Sequence, residues 1–287
     1  MEKLKLCPTT DSYIDLLKDC LTASLYDESA WRIIEGSLTA EERTPRHPLR
    51  FFAGLIRHRI VSFCRSRSIL LVRERPFEPA KRAEGRDWPC FGYTMVGRQR
   101  LDNVQMCIED ILRNNVPGDL IETGAWRGGT TIFMRAVLKV HGVNDRTVWV
   151  ADSFEGLPRP ASDTDGDDLS QVKYLKVSLE TVRANFERFD LLDDQVRFLQ
   201  GYFCDTLPNA PIERLAILRL DGDLYSSTMD SLRNLYHRVS PGGYVIVDDY
   251  HSWASCREAV TDFLKENKID PEIRTVADGA YWKVGGF

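Results

Sequence analysis

Apolar positions recur along the chain in two different patterns. Up to about residue 92 they follow helical spacing, as in "DSYIDLLKDCLTASLY" and "PLRFFAGLIRHRIVSFCRSRSILLV". This spacing predicts helices, joined to the rest of the chain by the Pro- and Gly-rich "RPFEPAKRAEGRDWPCFG". From residue 100 an amphipathic helix, "RLDNVQMCIEDILRNN", is followed by short apolar runs that alternate with helical segments. We therefore divide the chain into a helical segment, 1–92, and an alternating domain, 93–287.

The short apolar runs predict the strands of one sheet. They are "DLIETGAW", "TVWVADSF", "VRFLQGYF", "LAILRLDG", "GYVIVDDY", "EIRTVA" and "AYWKVGG". Most are continuously apolar, which is typical of parallel strands that are covered on both faces. The "DG" between the last two runs indicates a hairpin and hence an antiparallel strand at or near an edge. The sequence thus predicts an α/β fold with a doubly wound, mostly parallel, seven-stranded sheet.

Composition narrows the class of protein. The chain has 287 residues, 43% hydrophobic and 28% charged, as in ordinary globular proteins. It has no apolar stretch long enough to span a membrane and no secretory h-region, so we expect a cytoplasmic protein. Its seven cysteines include no CxxC pair, which argues against a zinc knuckle or a disulfide framework.

The net charge of −5 is distributed unevenly. Residues 43–86 contain 12 basic and three acidic side chains, which leaves about −14 on the remainder. Nucleic-acid binding is not expected, because the aromatic residues of this segment do not alternate with the basic ones. Residues 31–86 either form a helical cover over a pocket, with a subunit contact, or lie against an anionic membrane. We favour the cover, since a membrane surface would repel the acidic remainder.

Acidic residues end two consecutive apolar runs. Asp221 and Asp223 follow one run, and Asp248 and Asp249 end the next. The carboxyl ends of parallel strands meet where open α/β sheets bind ligands. Carboxylates converging without Cys or His favour Mg²⁺. We expect Asp221, Asp248 and Asp249 to bind it and Asp223 to stand aside, although one of these acids could instead cap a helix. His251 could line the same pocket.

Two earlier runs also end in acids. "IETGAWRGGTT" places Glu122 before a turn that Gly124 makes possible, and Asp152 ends the next run. The dinucleotide fingerprint GxGxxG is absent, which argues against a nicotinamide enzyme. Glu122 suits a cationic partner such as a methionyl amine, and Asp152 suits the hydroxyls of a ribose. The alternatives are an ordinary strand-to-helix turn and a helix N-cap.

Together with "YTMVGRQRLDN", "SLETVRANFERF" and "VSPGGYVIVDDY", these segments resemble the macrocin and mycinamicin family of sugar O-methyltransferases. The resemblance extends from residue 93 to the C-terminus. It implies a class I methyltransferase fold, Rossmann-like, with an N-terminal helical lid. It also implies S-adenosylmethionine and Mg²⁺ as cofactors, and methylation of a hydroxyl on a sugar-like moiety of a natural product in antibiotic biosynthesis. A non-sugar polyhydroxylated molecule or a glycan is the alternative acceptor, and a homo-oligomer is expected.

The resemblance implies roles for particular residues. Around the cofactor it implies Glu122, Thr123 and Gly124 at the methionine moiety, Asp152 and Ser153 at the ribose and adenine, and Gly201, Tyr202 and Phe203 beside the adenine, and we add Met95 and Arg127. It implies Asp221, Asp248 and Asp249 as metal ligands, with Asp221 also the general base, and Trp88 and Met95 in the acceptor pocket, to which we add His251.

Two segments depart from the family pattern, and both concern the acceptor. Residues 31–81 are longer and more basic than the corresponding lid, and "RPASDTDGDDLSQVKY" is shorter than the corresponding loop. Rival classes explain less of the sequence. A magnesium-dependent phosphatase would not need Glu122 and Asp152, and a non-catalytic assembly protein would not need the acids at the strand ends.

Overall fold

The first part of the chain combines helices with a small strand pair. The computed structural model describes residues 8–25, 30–33, 48–67, 69, 71–75, 77–87, 89, 91–165 and 168–285. Its first elements are α1 (Pro8–Leu21), β1 (Ala30–Ile33), α2 (Pro48–Ser66), β2 (Val72–Arg75) and α3 (Pro79–Glu84). Helices α1 and α2 agree with the apolar spacing, whereas α3 lies within "RPFEPAKRAEGRDWPCFG", which we expected to be an irregular connection. The antiparallel pairing of β1 with β2 was not predicted, because four-residue strands leave too short a pattern to recognise.

The remaining elements alternate as the sequence predicted. The strands are β3 (Asp119–Thr123), β4 (Val148–Asp152), β5 (Val196–Gln200), β6 (Leu215–Leu220), β7 (Val239–Val247), β8 (Arg274–Val276) and β9 (Gly279–Lys283). The helices are α4 (Gly97–Arg113), α5 (Gly129–Val140), α6 (Leu179–Arg188), α7 (Phe203–Thr206), α8 (Tyr225–Leu235) and α9 (Ala254–Glu266).

The strands form one seven-stranded sheet in the order β5-β4-β3-β6-β7-β9-β8. The first five are parallel, and β9 pairs antiparallel with both β7 and β8. The predicted mostly parallel sheet with a hairpin at one edge is therefore confirmed. The order of strands reverses between β3 and β6, which makes the carboxyl ends of these two strands the switch point where such sheets bind ligands.

Two hydrophobic clusters cover the two faces of the sheet. One contains residues of α4, α5 and α6, and the other contains residues of α8 and α9. Helix α1 belongs to the first cluster through Ile14, Leu17 and Leu21, each at most 4% exposed. Burying a side chain of this size contributes about 1.5–3 kcal/mol, so α1 is anchored in the core of the alternating domain.

Helix α2 differs from α1 in its exposure. Phe52, Ile56 and Phe63, which recur along one side of it, are 62%, 60% and 59% exposed. Within the described part of 31–86, the residues that line the cavity at the strand ends are Gly85 and Arg86. Within the described ranges, the helices are all too short or too polar to cross a membrane.

Gly124 ties the two central strand ends together. Its φ of +98° lies in the left-handed region, and a Cβ here would be 1.7 Å from the backbone oxygen of Asp221. Asp221 in turn donates its backbone N–H to the Thr123 oxygen at 2.8 Å. Only glycine permits this contact, so the loops after β3 and β6 are in direct backbone contact.

Candidate active site

A cavity of about 750 Å³ opens at the carboxyl ends of β3, β4, β6 and β7. Its walls also include residues 156–159 and 161, which follow β4, and Ser252 and Trp253, which precede α9. Of the residues that we expected at the site, it is lined by Met95, Glu122, Gly124, Asp152, Ser153, Tyr202, Phe203, Asp221, Asp248 and Asp249.

Other expected residues lie beside the cavity rather than in its wall. Thr123 is fully buried and accepts a hydrogen bond from the Ser231 hydroxyl on α8, because strand alternation turns it away from the mouth. Arg127 donates to the Gly92 carbonyl at 2.7 Å and stacks on Trp126. Gly201 supports the neighbouring loop by donating its N–H to the Asp152 backbone oxygen at 2.9 Å.

The expectation that His251 lines the pocket is not met. Its ring is exposed, and Nε2 lies 3.2 Å from the Thr275 hydroxyl, while its backbone N–H donates to the Asp278 oxygen. These contacts turn the ring toward the β8–β9 hairpin. The remaining expected residue, Trp88, lies outside the described residues.

Three carboxylates meet at one end of the cavity. Asp221, Asp223 and Asp249 each offer an oxygen, and these oxygens all lie within 4.8 Å of one another. Asp223, which we expected to stand aside, therefore lies beside Asp221 and Asp249. Strand β6 ends at Leu220, so strand alternation no longer governs Asp223, whose φ of 59° is left-handed.

Asp248 is held by two arginines instead of by this cluster. One carboxylate oxygen accepts from Arg219 of β6 and the other from Arg100 of α4. Arg100 is itself fixed, since its Nε donates to the Val96 oxygen at 2.6 Å. The expectation that Asp248 joins Asp221 and Asp249 thus differs from the structure, because both of its oxygens already have cationic partners.

The electrostatics of the carboxylate cluster favour a cation. Burial raises the pKa of Asp223 to about 7, with repulsion from Asp221 adding to it. Burial and then repulsion from Asp223 raise the pKa of Asp249 well above its ordinary value. Asp249 Oδ2 is also buried without a hydrogen-bond partner among the described residues. Carboxylate oxygens that lack a counter-charge fit a hard divalent cation such as Mg²⁺.

Glu122 lines the cavity and contacts a buried arginine. It is 1% exposed, and its Oε1 accepts from Arg219, which also donates to Asp221 Oδ2 at 2.7 Å. Glu122 Oε2 has no hydrogen-bond partner among the described residues. Burial raises the pKa of Glu122 to about 8, although Arg219 opposes the rise. An additional cation beside Oε2 would favour the ionised form.

Asp152 joins the loops that follow β3 and β4. Its Oδ2 accepts the backbone N–H groups of Ala125 and Trp126 at 2.8 and 3.1 Å, and its Oδ1 accepts that of Phe154 at 2.7 Å. Burial raises the pKa of Asp152, while these backbone donors lower it. Each carboxylate oxygen can accept more than one hydrogen bond, so Asp152 can still bind a ligand hydroxyl.

Sequence reasoning missed the two arginines of the site. Arg219 is the charged residue inside the apolar run "LAILRL", and it is 1% exposed. A charge at such a position needs a buried partner, so this signal was available. Arg100 gave no comparable signal, because arginines are common on amphipathic helices and its partner Asp248 is 148 positions away.

The fold, the cavity and its acids define a class I methyltransferase that uses S-adenosylmethionine, and comparison with known proteins agrees. The family model described as "Macrocin-O-methyltransferase (TylF)" matches residues 10–284. The chain therefore belongs to the macrocin O-methyltransferase family, as the resemblance implied, and it is an S-adenosylmethionine-dependent O-methyltransferase.

Individual relatives support this assignment. The chain is 56% identical over 205 residues to the 8-demethyl-8-(2,3-dimethoxy-alpha-L-rhamnosyl)-tetracenomycin-C 4'-O-methyltransferase of Streptomyces olivaceus, covering 69% of this chain and 78% of that protein. It is 49% identical over 221 residues to the mycinamicin III 3''-O-methyltransferase of Micromonospora griseorubida, covering 74% and 87%. The solved structure of the O-methyltransferase NovP superposes with a TM-score of 0.79 at 43% identity, covering 96% of this chain and all of that one.

Proposed function

We propose that this enzyme methylates a hydroxyl of a sugar moiety on a natural product and that it uses Mg²⁺. The observation that carries the proposal is the cluster of Asp221, Asp223 and Asp249 at one end of a cavity whose other end holds Asp152. Such a cavity has a place for a cation next to a place for an adenosyl cofactor. We also propose a cytoplasmic homo-oligomer in which residues 1–92 act as a lid on 93–287.

The acceptor is inferred from relatives and from the carboxylate cluster. The names of two relatives specify methylation at a 4' and at a 3'' hydroxyl, so the family accommodates different positions. Neighbouring hydroxyls are good ligands for a hard cation, which favours a sugar or another polyhydroxylated moiety over an isolated phenol. A non-sugar polyhydroxylated molecule or a glycan is the second candidate, favoured by the departures of 31–81 and "RPASDTDGDDLSQVKY" from the family pattern.

The chain's own residues bind and orient the cofactor in this proposal. Glu122 receives the amino group of the methionine moiety through Oε2, which is buried without a partner among the described residues. Asp152 receives the ribose hydroxyls, and Tyr202 and Phe203 form the side of the cavity toward the adenine. When bound, S-adenosylmethionine supplies an electrophilic methyl group to the acceptor oxygen and leaves as a neutral thioether.

Carboxylates orient the acceptor and take its proton. Asp221, Asp223 and Asp249 would hold the Mg²⁺, with Asp248 fixed behind them by its arginines. When bound, Mg²⁺ lowers the pKa of a neighbouring hydroxyl. Asp221 accepts the proton of the attacking hydroxyl as the hydroxyl oxygen bonds to the methyl carbon, because this carboxylate belongs to the cluster and shares Arg219 with Glu122 at the methionine moiety.

The test is a turnover assay with the full chain, S-adenosylmethionine and Mg²⁺ on a panel of acceptors. The panel contains deoxysugar-bearing natural products, simple diols, phenols and amines, and intact mass reports the transfer of a single methyl group. We expect transfer to a deoxysugar acceptor that is lost in EDTA and restored by Mg²⁺. Faster transfer to an isolated phenol or amine than to every sugar or diol would overturn the acceptor class. Undiminished activity in EDTA would overturn the metal.

A further inference from the structure

The segment that follows β4 crosses the mouth of the cavity to reach helix α8. We call residues 155–165 the crossing segment. Leu157, Pro158, Arg159 and Ala161 of this segment line the cavity. It ends in a short 3-10 turn, Asp163–Asp165, which contacts α8 and α9. The crossing segment is therefore one wall of the site, and its far end lies against the helix that follows Asp221 and Asp223.

Asp165 makes the attachment. This residue is 1% exposed, although Asp163 in the same turn is exposed. Its Oδ2 accepts the backbone N–H of Ala161 at 2.6 Å, within the crossing segment. Its Oδ1 accepts the backbone N–H of Ser226 at 2.6 Å, 61 positions away in the first turn of α8. One carboxylate thus joins the wall of the cavity to the start of the helix.

Helix α8 needs this contact because it has no cap of its own. Its N-cap residue is Leu224, whose side chain cannot accept a hydrogen bond. A carboxylate at a helix N-terminus also interacts favourably with the helix dipole. Burial raises the pKa of Asp165, but the backbone N–H groups of Ser226 and Ala161 outweigh this and hold the pKa below its ordinary value. The carboxylate is therefore ionised and suited to cap the helix.

We propose that Asp165 is a positioning residue for the acceptor: by capping α8 it holds the crossing segment at the distance from the carboxylate cluster that the acceptor requires. The inference rests on the proposed function for the identity of the acceptor. The groups assigned to the cofactor have supports of their own, since the Asp152 carboxylate is held by the N–H groups of Ala125, Trp126 and Phe154. Loss of the Asp165 contact should therefore weaken acceptor binding more than cofactor binding.

The test compares Asp165→Asn with Asp163→Asn, a matched change in the same turn at an exposed position. In Asp165→Asn the amide oxygen can keep one of the two N–H contacts, but the NH2 group then faces the other donor, so we expect the KM for the acceptor to rise about tenfold, the size of one lost capping contact. The Kd for S-adenosylhomocysteine, measured by calorimetry, should change by less than about threefold, because the groups assigned to the cofactor make no hydrogen bond to Asp165. The backbone N–H of Ala161 or of Ser226, whichever loses its acceptor, should exchange with solvent faster. Asp163→Asn should match the wild type in all three measurements.

Each outcome decides the proposal. Faster exchange at Ala161 or Ser226 with an unchanged KM would overturn the positioning role. An equal rise in the KM and in the Kd for S-adenosylhomocysteine would overturn it too. An Asp165→Asn chain that no longer folds would assign the residue to folding and overturn the proposal too. If the wild type methylates no sugar-bearing acceptor, the proposed function fails, and the KM is then measured with whichever acceptor is methylated.

Discussion

The two ends of the cavity hold buried acids in opposite situations. At the cofactor end, the Asp152 carboxylate accepts three backbone N–H groups from the loops after β3 and β4. At the other end, Asp249 Oδ2 has no hydrogen-bond partner among the described residues and lies beside Asp221 and Asp223. A protein satisfies nearly all of its buried polar groups unless a ligand does so. The fold itself thus holds the Asp152 carboxylate, whereas Asp249 Oδ2, like Glu122 Oε2 beside the cofactor end, is left for a ligand, which in the proposed function is a cation at the carboxylate cluster.

The largest effect is expected from a change that separates the two ends. Asp221→Asn should lower kcat by about 10²–10⁴-fold, the usual loss when a general base is removed. The Kd for S-adenosylhomocysteine should stay within about threefold of the wild type, because Asp152 and residues 201–203 are unchanged. Rates and calorimetry measure the two quantities. An equal loss of both would show that the two ends are not separable.

A change at Arg219 should instead disturb both ends. Arg219→Met leaves Glu122 and Asp248 buried without one of their cationic partners, so the free energy of unfolding should fall by about 3–5 kcal/mol. Denaturant titration measures it. The control is Arg135→Met, where the partner Asp193 is 38% exposed and can be solvated. Equal losses in the two variants would contradict the special position of Arg219.

Glu122→Gln should affect the cofactor end alone. The neutral amide cannot pair with an amino group as a carboxylate does, so the Kd for S-adenosylmethionine should rise about tenfold to hundredfold, the range for a hydrogen bond to a charged group. Mg²⁺ affinity, measured by calorimetry on the cofactor-free chain, should change much less. A larger effect on Mg²⁺ than on the cofactor would assign Glu122 to the carboxylate cluster.

Glu122 also predicts a pH dependence of the stability. Since burial raises the pKa of Glu122 from 4.5 in the unfolded chain to about 8 in the folded one, the folded state binds the proton more tightly. Glu122 therefore makes the free energy of unfolding of the ligand-free chain fall as the pH rises through this interval. Denaturant titrations at about pH 5 to pH 8, within this interval, measure the free energy of unfolding. It should fall less steeply with pH in Glu122→Gln than in the wild type. Parallel curves for the two proteins would contradict the raised pKa.

The sequence predicted the elements of the site better than its contacts. Apolar runs ending in acids located Asp221 and Asp249 at neighbouring strand ends, because parallel strands present their carboxyl ends at one edge. The contacts of Asp223 and Asp248 were not predicted, for two reasons. The backbone after β6 turns left-handed at Asp223, and Arg100 reaches Asp248 from a distant helix. Neither a local dihedral angle nor a long-range partner follows from a hydrophobic pattern.

In the N-terminal segment, too, the sequence predicted the elements but not what they contact. Helical spacing predicted α1 and α2, but not the different surroundings of the two helices. The side chains of Ile14 and Leu17 are buried in the core, whereas those of Ile56 and Phe63 on α2 are exposed. Periodicity identifies an apolar side of a helix, and it does not identify the surface that the side contacts.

The absence of a side chain at Gly124 has a consequence for engineering this enzyme by recombination. Its α-carbon lies so close to the Asp221 carbonyl that the loops after β3 and β6 must be compatible to within a fraction of an ångström. A chimera that takes one loop from a relative and keeps the other would combine two surfaces that were not shaped together. Crossover points for exchanging acceptor preference therefore belong outside residues 121–221, with both loops inherited from a single parent.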